Sequence, residues 1–150
     1  MGYNRLEIFN MKKLLSCVLV MLCCIPFSFA QNNNQEARDP NAPVNTIKIP
    51  GMEIYVSGSD EGSRMPYDVA KSACACKGSG WRLPTIGELQ AIYSYKDMFG
   101  NFSREYYWAY DQKMFSGRFY NLNFKNGRIS DEEVNEDNKV RCIWSPMKPE

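Results

Sequence analysis

The chain holds no histidine in its 150 residues. Cys/His and Ser/His/Asp nucleophile systems and histidine-based metal sites are therefore excluded, and carboxylates, lysine and tyrosine are left to move protons. One stretch with chemical potential is the acidic run DEEVNED. Its Asp131, Glu133, Glu136 and Asp137 offer hard oxygen ligands to Ca²⁺, which takes roughly six to eight of them. The spacing is not that of an EF-hand, and a charge run is ordinarily a solvated loop. A second is the aromatic stretch from Tyr106 to Tyr120, interleaved with Lys113 and Arg118. Aromatic faces that stack on pyranose rings, rimmed by cations that catch carboxylate or sulfate, would make a polysaccharide-binding surface. Strand alternation sends about half of such side chains inward, Trp108 and Trp81 foremost, and leaves Tyr110, Arg118 and Phe119 as ligand-binding candidates. Cys74 and Cys76 are spaced C-x-C, which is not the C-x-x-C of thioredoxin-like redox centres.

The stretch GWRLPTIGELQAIY concentrates a tryptophan, an arginine and a proline at a helix start. Pro84 holds Leu83 extended, so Trp81 to Leu83 reads as strand. Thr85 and Glu88 form a Thr-x-x-Glu capping box, and Leu89, Ile92 and Tyr93 then recur at the spacing of one buried helix face. Arg82 and Glu88 are expected to serve as an ion pair and cap at this corner rather than as ligand contacts.

The elements that must position these residues follow from periodicity and turn chemistry. Ile47, Ile49, Met52, Ile54 and Val56 predict one or two short strands broken at Pro50-Gly51. Pro66 opens a helix through Cys76, with Val69, Ala73 and Cys76 on one stripe and Ala70 and Cys74 beside it. EYYWAY predicts a strand. RFYNLNF predicts another, with Tyr120, Leu122 and Phe124 on one face and Asn121 and Asn123 on the other. Asn126-Gly127 is a hairpin turn signal, and KVRCIW reads as the last strand.

Around this domain, residues 1–30 have the form of a secretory signal peptide: a basic Met11-Lys12-Lys13, an apolar run to Ile25 and a small-x-small Ser28-Phe29-Ala30. Residues 31–45 read as a disordered leader and residues 46–150 as one domain. The 18 basic and 17 acidic residues become 15 against 16 without the signal, a balance with no footprint for nucleic acid. Removal also leaves Cys74, Cys76 and Cys142, so export to an oxidising compartment predicts one disulfide and one leftover thiol. No span is expected in the mature form.

A helix carrying a cysteine, then GWRLPT-x-x-EL, a YW strand and a terminal VRC-apolar strand together resemble the bacterial Lcl C-terminal domain family over roughly residues 46–145. That family is related to the major paralogous domains of Fibrobacter. The resemblance implies an α+β, C-type-lectin-like fold: two helices packed on short antiparallel sheets with one disulfide. It pairs Cys74 with Cys142, worth about 3 to 4 kcal/mol. Cys76 is then left over, expected as a buried small hydrophobe, with an intermolecular disulfide or mispairing as the alternatives. The formylglycine-generating enzymes share an RLPT-x-x-E motif, but they use a copper-bound cysteine pair near the C-terminus where this chain has only Cys142. The EPN, QPD and WND signatures of calcium-dependent lectins are absent as well. The implied function is an exported, non-enzymatic binding module, periplasmic, secreted or on the surface of a bacterium, whose partner is a glycan or an envelope or host protein. A structural subunit of a surface appendage is the alternative.

Overall fold

Pro66 sits at the N-cap of a helix over Tyr67–Ala75 (α1), and Thr85 caps a second over Ile86–Ser94 (α2). In the computed structural model, which describes residues 38–146, these helices pack on two antiparallel sheets. Thr46–Lys48 (β1) and Tyr55–Ser57 (β2) form a hairpin. With Trp81–Arg82 (β3) and the late strand Ile143–Trp144 they build a four-stranded sheet in which the late strand lies between β2 and β3. Tyr106–Gln112 (β4), Phe119–Asn123 (β5) and Ile129–Glu132 (β6) form a three-stranded meander, and Ile143–Trp144 is β7. A short helix that periodicity did not announce, Lys96–Phe99 (α3), follows α2 and ends at Gly100.

Two apolar clusters lie between these layers. One gathers Val56, Leu89, Ile92, Tyr107, Leu122 and Ile143 from both sheets and α2, which is the helix face that the Leu89/Ile92 spacing predicted. The other gathers Tyr67, Ala70, Cys74, Leu83, Trp108, Val140 and Cys142 around α1. Cys74 and Cys142 are bonded, 68 residues apart.

Several expectations change. The stripe of Val69, Ala73 and Cys76 turns away from the core: Val69 and Cys76 are exposed, while Tyr67, Ala70 and Cys74 are buried. Two tertiary ties set this rotation, the disulfide at Cys74 and the ring of Tyr67 stacked on Phe119 with centroids 3.5 Å apart. Cys76 is therefore an exposed free thiol and not a buried hydrophobe. KVRCIW is not one strand. Lys139 bridges to Tyr107 beside β4, and only Ile143 and Trp144 enter the other sheet, so the segment stitches the two sheets together. Asp131 and Glu132, expected in an acidic loop, belong to β6.

The leader was expected to run to Asn45, yet Arg38 donates to the Thr46 carbonyl and Oγ1, the Asp39 N–H donates to the Tyr55 hydroxyl, and Gly58 N–H donates to the Asn45 carbonyl. Residues 38–45 are thus tied to the β1–β2 hairpin. The signal peptide and the rest of the leader lie outside the described residues. Among the described residues no helix is long and apolar enough to cross a membrane.

Candidate functional site

The GWRLPT corner is built from its residues as follows. Gly80 has φ +83°, and a Cβ there would fall 2.6 Å from the Ser145 carbonyl and the Trp144 indole nitrogen. Only glycine suits both the left-handed backbone and that approach. Trp81 is partly buried under the Lys77 ammonium, 4.8 Å from its ring, and Leu83 is core. Arg82 makes a bidentate pair with Glu88, both N–H···O distances being 2.7 Å. The Thr85 backbone N–H donates to Glu88 Oε2 while Thr85 Oγ1 accepts from the Glu88 N–H, which completes the capping box. Burial alone would raise the Glu88 carboxyl, but the Arg82 and Thr85 hydrogen bonds outweigh it and hold it below its ordinary value. The same bond to Glu88 raises Arg82.

This corner positions the end of β4. The Pro84 carbonyl accepts from the Tyr110 N–H at 2.7 Å, and Asp111 accepts from the Ile86 N–H, a second cap on α2 that spacing did not reveal. Tyr67 donates its hydroxyl to the Tyr110 carbonyl at 2.8 Å. Burial, then the neighbouring Tyr110, Asp68 and Asp111, push the Tyr67 hydroxyl up to about 12, so it stays a donor at any physiological pH. Tyr110 itself is exposed, with the Lys71 ammonium 5.6 Å from its ring centre.

Beyond β4 the hairpin brings the ligand and metal candidates together. Lys113 reaches Asp131 Oδ1 at 2.9 Å, Arg118 reaches Oδ2 at 2.5 Å and the Asp131 carbonyl at 2.6 Å, and Glu133 lies 3.5 Å from Arg118. The bonds from Lys113, then from Arg118, hold the Asp131 carboxyl below its usual range. Both oxygens of the best placed calcium candidate are thereby occupied by cations. Asp137 presents its backbone carbonyl to Arg64, and no group of three acidic or cysteine side chains fit to hold a metal occurs among the described residues. The donor set does not suit Ca²⁺. Phe119, taken as a ligand candidate, is a packing residue: one face of its ring lies on Tyr67.

The β4–β5 turn adds what sequence patterning did not single out. Met114 and Phe115 stand 77% and 101% exposed, and Phe115 has φ +59°. Lys113 N–H donates to the Arg118 carbonyl, the Ser116 hydroxyl to the Lys113 carbonyl, and the Arg118 N–H to the Ser116 hydroxyl. A bulky residue in the left-handed region costs of the order of 1 kcal/mol or more and persists where neighbours over-determine it. The turn is a braced finger with an apolar tip.

No family model and no curated protein sequence matches the chain. Among solved structures it is similar to botrocetin, with a TM-score of 0.51 at 11% identity, covering 71% of this chain and 100% of that one. It is likewise similar to EMS16, an antagonist of the collagen receptor integrin α2β1, with a TM-score of 0.52 at 11% identity over 70% of this chain and 100% of the other. At such identity the likeness carries architecture alone. The fold is C-type-lectin-like: α+β, with small antiparallel sheets and one disulfide.

Proposed function

We propose that this chain is an exported, non-enzymatic binding module of the Lcl C-terminal-domain type, acting in the periplasm or at the surface of a bacterium, and that its partner there is a protein. The observation that carries this reading is the braced β4–β5 finger, which holds Met114 and Phe115 in solvent at the cost of an unfavourable Phe115 backbone. Exposed aromatic and methionine side chains on a rigid support are the anchors of protein interfaces. A glycan surface is less well supported, because Arg118 and Lys113 are already paired with Asp131 and the Phe119 face is covered. The C-type-lectin-like architecture and the disulfide agree with an extracytoplasmic binding protein.

The test places a benzophenone amino acid at position 115, or at the exposed control position 90 on α2, and irradiates the producing cells. A defined protein adduct at 115 and none at 90 is the expected result. Equal adducts at both positions, or a saccharide ligand on a glycan array that is lost in Tyr110→Ala, would overturn the protein reading. A flat array with no adduct other than the chain itself, alongside oligomers that grow with concentration, would favour the structural-subunit alternative.

A further inference from the structure

At the opposite end of the three-stranded sheet from the finger, where Tyr106 pairs with Asn123, the chain forms a cleft of about 620 Å³. Lys96, Arg104 and Lys125 line it, with Asp97 as the lone acid of the lining. Lys96 lies 4.1 Å from the Tyr93 ring centre, and among the described residues neither Arg104 nor Lys125 has a carboxylate partner. The nearby Glu105 carboxylate faces Arg64 at 3.7 Å instead. The lining thus carries three cations against one acid, an excess that favours an anion in the cleft.

The cleft floor is rigid for a reason that lies beneath it. Arg141 is wholly buried, donates to Asp60 at 2.7 Å, to the Ser57 carbonyl at 3.0 Å and to the Asn101 carbonyl at 3.2 Å. It thereby fixes the Gly100–Asn101 turn, where both residues have left-handed φ. Its guanidinium also lies 4.1 Å over the Phe102 ring, while Phe124 stacks against Phe102 at 4.4 Å and 17°. Two groups so close over one ring must take opposite faces. Phe102 is therefore sandwiched, and it meets the Phe99 and Tyr107 rings at steep angles, 86° and 70°, as well. With both faces covered, the ring offers none on which a sugar could stack.

We propose that this cleft is an anion-recognition site for a carboxylate-rich peptide segment, separate from the finger. Ammonium and guanidinium groups are donors only, which suits a chain of carboxylate acceptors. Saccharide hydroxyls need acceptors as well, and the lining side chains supply them only at Asp97 and Asn101.

The test uses a fluorescein-labelled hexaglutamate peptide in fluorescence anisotropy, with hexalysine as the control and a heparin-derived hexasaccharide as the competing class. Saturable hexaglutamate binding at about 50 mM salt that is lost at about 500 mM is expected. Arg104→Glu and Lys125→Glu should each weaken it by roughly tenfold or more, Asp97→Asn should strengthen it, and Phe115→Ser should leave it unchanged. Arg104 and Lys125 are exposed, so unchanged melting temperatures separate lost binding from lost folding. No saturable hexaglutamate binding, reversals that alter affinity less than about twofold, or tighter binding of the hexasaccharide through the same residues would overturn the proposal. Failure here leaves the finger reading standing, because that reading is tested by adducts at position 115.

Discussion

Replacement of Arg141 by methionine tests whether one buried cation organises the loop that floors the cationic cleft. Its guanidinium is fully buried and satisfies Asp60, the Ser57 and Asn101 carbonyls and the Phe102 face at once. Methionine restores most of the packing volume and none of these bonds. Breaking a buried ion pair by removing one partner costs about 3 to 5 kcal/mol, mostly because the other charge is left uncompensated. Asp60 keeps the Tyr107 hydroxyl at 2.9 Å and retains some contact with water, which places the cost near the lower end, about 3 kcal/mol. A domain of this size has roughly 5 to 15 kcal/mol in total. Urea unfolding followed by tryptophan fluorescence should therefore show a clearly lowered midpoint with an unchanged slope. In Arg141→Met with Asp60→Asn the orphaned charge is gone, and about 1 kcal/mol or more should return. A single variant that loses less than about 1 kcal/mol, or a double variant no better than the single, would refute the argument that desolvated charge is what the network compensates.

Thr85→Ala should cost about 1 kcal/mol through the lost cap, with partner binding by the folded fraction unchanged in an adduct assay corrected for folded protein. The depressed Glu88 carboxyl stabilises the fold fully above its ordinary value of 4.5 and loses that contribution as pH falls through its lower folded value, so Glu88→Gln should flatten the acid arm of a stability–pH curve. Thiol titration of the unreduced protein should find Cys76 reactive without denaturant, and Cys74→Ala with Cys142→Ala should cost about 4 kcal/mol in urea unfolding. Asn121 is fully buried with neither amide atom hydrogen bonded to protein, so Asn121→Leu should be neutral or stabilising in thermal unfolding; a loss beyond about 2 kcal/mol would show that its amide is satisfied in solution. Phe115→Gly should raise the melting temperature by relieving the left-handed backbone while removing the apolar tip, so binding and stability move in opposite directions.

Local chemistry was legible where it is carried by neighbours in sequence. The Thr85–Glu88 cap, the Arg82–Glu88 pair, the turn at Asn126-Gly127 and the buried Leu89/Ile92 face all depend on residues within a few positions of each other, and each formed as spacing implied. The pairing of Cys74 with Cys142 came through the family resemblance, since three cysteines alone leave the choice open. What spacing could not supply was anything depending on contacts across the chain. Val69 and Ala70 are adjacent and both apolar, and only the stacking of Tyr67 on Phe119 and the disulfide decided which faces inward. Asp131 looked like an oxygen ligand until β6 brought it beside Lys113 and Arg118. Asp60, 81 residues from Arg141, showed nothing of a buried ion pair, and neither did the arginine of VRC. The amino-acid sequence by itself determined the caps, turns and helix starts, because backbone geometry and short-range hydrogen bonding act within a turn or two. The exposed finger, the sandwiched Phe102 and the cationic cleft were decided by tertiary structure alone, because burial and charge pairing depend on which distant segments the fold brings into contact.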